Sequence, residues 1–252
     1  MPSVKAIAAS LDRRVPCALK MDFDNVGLLC GFPDAEVSRV LVALDITDWT
    51  IREAEELGAE LIVSHHPLIF SPLKRILNDE PEGHRVIRLL RSGISAICMH
   101  TNLDIVKGGV NDALAEAIGA VCVEELPCGR VAELPQSEST VEFVKRIEGA
   151  LHGSGFRFYD SGRSVRRIAI CSGSGGELVS ECDALGCDTL LTGEIRYHQW
   201  LEGRERGLNL VDADHFCTEN VVVPVLAKLL SEEHPELDVR ISQSHDQTAR
   251  GV

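Results

Sequence analysis

Short apolar runs alternate along this chain with stretches whose hydrophobic residues recur at helical spacing. Residues 40–44 read as a buried strand, and a helical pattern over 49–57 is closed by Gly58. Strands at 61–63 and 94–99 follow, with helices at 84–91 and 110–118 ended by Gly93 and Gly119. The second half returns to the same order. Strands at 167–171, 189–191 and 208–211 alternate with helices at 176–185, 198–206 and 223–230. Between the halves, residues 122–162 are poorer in pattern, apart from a helix starting at Ser139 and running to Leu151, and read as a bridge. The alternation predicts an α/β fold with mixed, largely parallel sheets flanked by helices.

The two halves match in spacing as well as order. Val40 and Ile168, Glu53 and Glu181, Gly58 and Gly186, and Leu61 and Thr189 are each 128 positions apart. After a shorter loop the offset becomes 114, as between His84 and His198. Identities are few, but persistence over three strands and two helices favours duplication over two unrelated units. The predicted halves are 1–124 and 125–252, with the C-terminal helix and strand able to pack back on the first.

Composition narrows the function classes. The chain has 252 residues, 44% of them hydrophobic, and a mean hydropathy near zero. No apolar run approaches the roughly 20 residues of a membrane helix, and the first 22 residues show no leader-like apolar stretch. Nine cysteines, an odd number without a C-x-x-C pair, read as buried reduced thiols. A cytoplasmic protein is expected. The net charge of -14 disfavours nucleic acid and anionic membranes as partners.

Candidate chemistry sits at strand ends, where α/β sheets bind ligands. Ser64-His65-His66-Pro67 follows the strand at 61–63, and the adjacent imidazoles of a strand point in different directions. His100 and Asp104 follow the third strand; His215 and Glu219 follow its counterpart, 115 positions on with one residue inserted. Imidazole with carboxylate suits Zn, Fe, Mn or Ni. Glu194 and His198 occupy the place of the doublet in the second half and are candidates for ligation or acid/base work. The run Ser172-Gly173-Ser174-Gly175-Gly176 lacks the dinucleotide fingerprint and reads as a tight turn.

With these motifs in place, the chain resembles the NIF-three-like dinuclear metal proteins, the homologues of GTP cyclohydrolase type two. The resemblance spans nearly the whole chain and includes Asp24-Asn25-Val26-Gly27-Leu28, Leu44-Asp45-Ile46-Thr47 and Thr192-Gly193-Glu194. It implies that His65, His66, Asp104, His215 and Glu219 bind two divalent ions in a cleft between similar halves, with Glu219 and Asp104 as candidate bridges. It further implies ring-opening hydrolysis of a small-molecule substrate, GTP or a related cyclic amidine; for that chemistry His100 is the candidate general acid/base, with Glu194 and His198 in reserve. Toroidal homohexamers are also implied. The alternative is a non-catalytic, oligomeric metal-binding module. One departure stands out: the family usually carries Gly-His-Tyr where this chain has Asp214-His215-Phe216.

Overall fold

The computed structural model describes residues 1–244. The chain forms two compact units, one made of Met1–Val106 with the C-terminal return from Val223, the other of Lys107–Val222. The first stretch contains α1 (Val4–Arg14), β1 (Gly27–Cys30), β2 (Arg39–Ala43), α2 (Asp48–Leu57), β3 (Leu61–Ser64), α3 (Pro81–Ser92), β4 (Ser95–Cys98) and α4 (Thr101–Ile105). The second unit contains α5 (Val110–Ala117), the hairpin β5 (Val121–Leu126) and β6 (Gly129–Glu138), α6 (Thr140–Ala150), β7 (Arg157–Tyr159) and β8 (Val165–Cys171). It continues with α7 (Val179–Ala184), β9 (Thr189–Thr192), α8 (Tyr197–Glu205), β10 (Asn209–Asp212) and α9 (His215–Glu219). The return supplies α10 (Val222–Glu233) and β11 (Asp238–Ile241).

The first sheet runs β1-β4-β3-β2-β11, with β11, β2, β3 and β4 parallel and β1 antiparallel at the edge. The second runs β5-β6-β8-β9-β10-β7, parallel through β8, β9 and β10 and antiparallel elsewhere. The sequence offsets are the offsets of this register. Val40 pairs with Leu61 and Leu61 with Ser95; Ile168 pairs with Thr189 and Thr189 with Asn209. Each unit thus repeats three parallel strands flanked by an antiparallel edge on the side of the third strand.

The central strands of both sheets are buried on two faces, as parallel strands linked by helices must be. On one face of the first, Leu41, Ile62 and Ala96 pack with Ile51 and Ala54 of α2 and Val86 and Leu89 of α3. The alternate residues Val40, Val42, Val63 and Ile97 are equally buried. Helices α1 and the end of α10 are tied together by Ser10 Oγ to His234 Nε2 at 2.7 Å and by Arg14 to Glu233 at 2.6 Å. In the second unit, Ile168, Ile170 and Leu191 pack against α5 and α6. Ala169, Leu190 and Leu210 pack against α7 and α8 on the other face.

Several differences from the predicted pattern have physical reasons. The units divide at 106/107 and 222/223 instead of after 124, because Leu114, Ala115 and Ile118 of α5 bury themselves with Phe143 and Ile147 in the second core. The supposed bridge contains the β5–β6 hairpin. Helix α3 begins at Pro81, three residues early, since proline suits the first helical position where no N–H is needed. None of the nine cysteines forms a disulfide among the described residues. Among the described residues no helix is long and apolar enough to cross a membrane.

Candidate metal centre

In the first unit the sheet register delivers three histidines to one end of the parallel strands. The His65 and His66 N–H groups donate to Ala43 and Leu44 carbonyls, so the doublet prolongs the β2–β3 ladder before the chain turns away. His100 caps α4 just beyond β4. Ring centroids are 5.1 Å apart for His65–His66, 5.2 Å for His65–His100 and 5.6 Å for His66–His100. One ring nitrogen from each lies within 4.8 Å of the others.

Each ring is held on its Nδ1 side. His65 Nδ1 donates to the Met99 carbonyl at 2.8 Å, His66 Nδ1 sits 2.8 Å from Asp45 Oδ1, and His100 Nδ1 sits 2.8 Å from Asp24 Oδ1. A carbonyl or carboxylate can only accept, so each of these rings carries a proton on Nδ1. His65 Nε2 is 3.7 Å from Asp104 Oδ1. Asp24 is itself fixed by the Thr101 N–H at 3.0 Å, the Thr101 hydroxyl and the Asn25 N–H at 2.7 Å. Burial opposes its ionisation, but the bonds from His100 and Thr101 prevail and hold its carboxyl well below the usual range.

The second unit repeats the device with different residues. His215 Nδ1 lies 2.7 Å from Glu194 Oε1, and its Nε2 lies 3.1 Å from Glu219 Oε2, a buried carboxylate one helical turn on. The glycine run supplies the wall beside this pair. Gly173 has φ +61°, and a Cβ there would lie 2.2 Å from Glu219 Oε1 and 3.2 Å from His215 Nε2. Gly193 donates to the Gly173 carbonyl at 2.8 Å, and its own Cβ would meet that carbonyl and the His215 Cα at 2.7 Å. These glycines serve close backbone approach.

The equivalence between His100 and His215 carries a shift of one residue. The Asp104 N–H donates to the His100 carbonyl, whereas the Thr218 N–H donates to that of Asp214. His100 and Asp214 are therefore the matching helix caps, and His215 and Glu219 each fall one position later. Asp214 has φ +68° and ψ 139°, a region nearly reserved for glycine, and accepts from the Cys217 N–H at 3.1 Å. The glycine that the resemblance leads one to expect at this position would have a conformational reason.

Of the residues singled out from sequence, His65, His66, His100 and Asp104 come together in the first unit, and Glu194, His215 and Glu219 in the second. His198 stands apart, exposed in the first turn of α8. Sequence reasoning overlooked Asp24 and Asp45 as the groups that orient His100 and His66. Their signal lay in the motifs Asp24-Asn25-Val26-Gly27 and Leu44-Asp45-Ile46, acids at the mouth of strands otherwise apolar. Imidazoles with buried carboxylates, and a glycine wall where a Cβ would intrude, fit divalent cations.

The Duf34/NIF3 (NGG1p interacting factor 3) family matches residues 2–248. The GTP cyclohydrolase 1 type 2 homolog of Clostridium perfringens is 37% identical over 233 residues, covering 88% of each chain. The Helicobacter pylori protein named GTP cyclohydrolase 1 type 2 is 32% identical over 238 residues, covering 91% of this chain and 92% of its own. Among solved structures, a Staphylococcus aureus protein superposes with a TM-score of 0.92 at 26% identity, covering 100% of this chain and 99% of its own. A Bacillus cereus protein related to NIF3 superposes with the same score at 23% identity and the same coverage, a likeness of fold. The chain belongs to the Duf34/NIF3 family.

Proposed function

We propose that this chain is a hydrolase working through two divalent ions, and that it opens a C–N bond in a nucleotide ring such as that of GTP. In this reading His65, His66, Asp104, His215 and Glu219 would hold the ions. The observation that carries it is the common orientation of four histidines, each engaging a fixed acceptor through Nδ1. The relatives named GTP cyclohydrolase 1 type 2, or its homolog, support the substrate class.

Bound there, a divalent ion supplies Lewis-acid polarisation and a water of lowered pKa. His100 is the proton carrier in this reading. Its Nε2 takes a proton while Asp24, ionised on the far side of the ring, stabilises the imidazolium. Glu194 acts by fixing the ring of His215, which leaves His198 without a role in the chemistry. Asp104 and Glu219 offset the cationic charge. The assembly expected is a homo-oligomer of six copies, which sedimentation measures directly.

The test combines elemental analysis with formate release from GTP. About two divalent ions per chain are expected, with turnover lost in His66→Ala while the fold survives. Metal-loaded protein that hydrolyses neither GTP nor any other cyclic amidine would overturn the reading.

A further inference from the structure

Two aromatic rings lie open to solvent beside the histidine cluster of the first unit. Phe23 is 64% exposed and Phe70 46% exposed. Their centroids are 6.2 Å apart, and the ring of Phe70 stands edge-on to His100, centroids 6.1 Å apart at 84°. Exposed neighbouring phenylalanines forgo burial worth having elsewhere, so a contiguous pair calls for an occupant.

The segments that carry them are stitched in place. Asn25 Nδ2 donates to the Ile69 carbonyl at 2.6 Å, joining the two loops next to each ring. Lys20 Nζ donates to the Asp24 carbonyl at 2.7 Å, and the Met21 N–H to Thr101 Oγ1 at 3.0 Å. Phe23 thus adjoins the residue that orients His100, and Phe70 touches His100 itself.

We propose that Phe23 and Phe70 form an aromatic shelf that stacks a planar ring of nucleobase size and delivers its edge to His100. This rests on the hydrolase reading and adds the part of the site that selects a flat heterocycle. Ring stacking on an aromatic face is tolerant of ring identity and needs a rigid platform. A second copy of the chain is the poorer occupant. Two phenylalanines supply at most about 150–250 Å² each, short of the roughly 800 Å² per partner of a stable interface.

Metal-loaded protein is dialysed against guanosine, which has the ring without phosphates, and separately against tripolyphosphate, which has phosphates without the ring. Phe70→Ala and Phe23→Ala should each weaken guanosine binding roughly 5- to 100-fold, leaving tripolyphosphate binding and metal content unchanged, and Phe70→Tyr should restore it. Guanosine binding that is absent from the parent protein, or unaltered in both alanine variants, overturns the shelf. A fall in oligomer mass in the variants with guanosine binding unaltered overturns it in favour of a second copy. If the protein takes up no metal yet binds guanosine in a Phe70-dependent way, the shelf stands and the metal-hydrolase reading fails.

Discussion

At the scale of single residues, the site consists of ordinary side chains held by specific partners. Removing a partner should therefore weaken ligation without removing a ligand. Asp45→Asn keeps the shape beside His66 but removes the ionised acceptor, and divalent-ion affinity should fall about 10- to 100-fold in titration calorimetry. A change below twofold would show that Asp45 does not orient His66. Asp214 offers a second test. Its backbone sits in a region that costs a non-glycine residue on the order of 1–3 kcal/mol, partly offset by its bond to the Cys217 N–H. Asp214→Gly should be near neutral in urea unfolding, gaining conformation as it loses a cap. Asp214→Ala gains nothing and should cost about 1–2 kcal/mol. The residue types of the site were plain in the sequence because strand ends concentrated them. Their orienting acids were not, since Asp24 and His100 lie 76 positions apart and only the folded register joins them.

Among elements, the central strands of both sheets were legible because two-sided burial writes a continuous apolar run. The β5–β6 hairpin was not. As an edge strand, β5 is exposed along most of its length, and Glu124 and Glu125 break the alternation that would announce it. What fastens α5 to this hairpin is an ion pair: Arg130, fully buried, donates to both oxygens of Asp112 at 2.7–3.1 Å. Asp112→Asn removes one charged partner from that buried guanidinium and should cost about 3–5 kcal/mol in urea unfolding. The pH dependence follows. Burial opposes charging of Asp112, but Arg130 and the Gly108 N–H hold its carboxyl below the usual range. A depressed folded-state pKa gives stability that is complete above the ordinary carboxylate value near pH 4 and lost as pH falls through the folded one. The stability gap between parent and Asp112→Asn should therefore narrow below about pH 4; a gap constant from pH 7 to 3 would contradict the pairing.

For the whole molecule, ligands bound only by the folded chain must raise its stability. Free metal at a hundredfold excess over its dissociation constant should add about 2.7 kcal/mol. In calorimetry this appears as a melting temperature that climbs with metal concentration, falls on chelation, and responds far less in His66→Ala. The duplication was readable at this scale because the strand register preserves its spacing; the boundaries were not, because they depend on which core claims α5 and the C-terminal segment. That segment adds β11 beside β2, with Arg39 Nε donating to Asp238 at 2.7 Å and Glu53 accepting from the Gln243 N–H at 2.8 Å. On the ribosome this ordering matters. The nascent chain has made every strand of the second sheet before the first sheet receives its last, so the unit begun first is the one finished last. Arrested translation intermediates ending near residue 222 should show protease protection over Lys107–Val222 ahead of the segment around β2, and the reverse order would exclude this sequence of events.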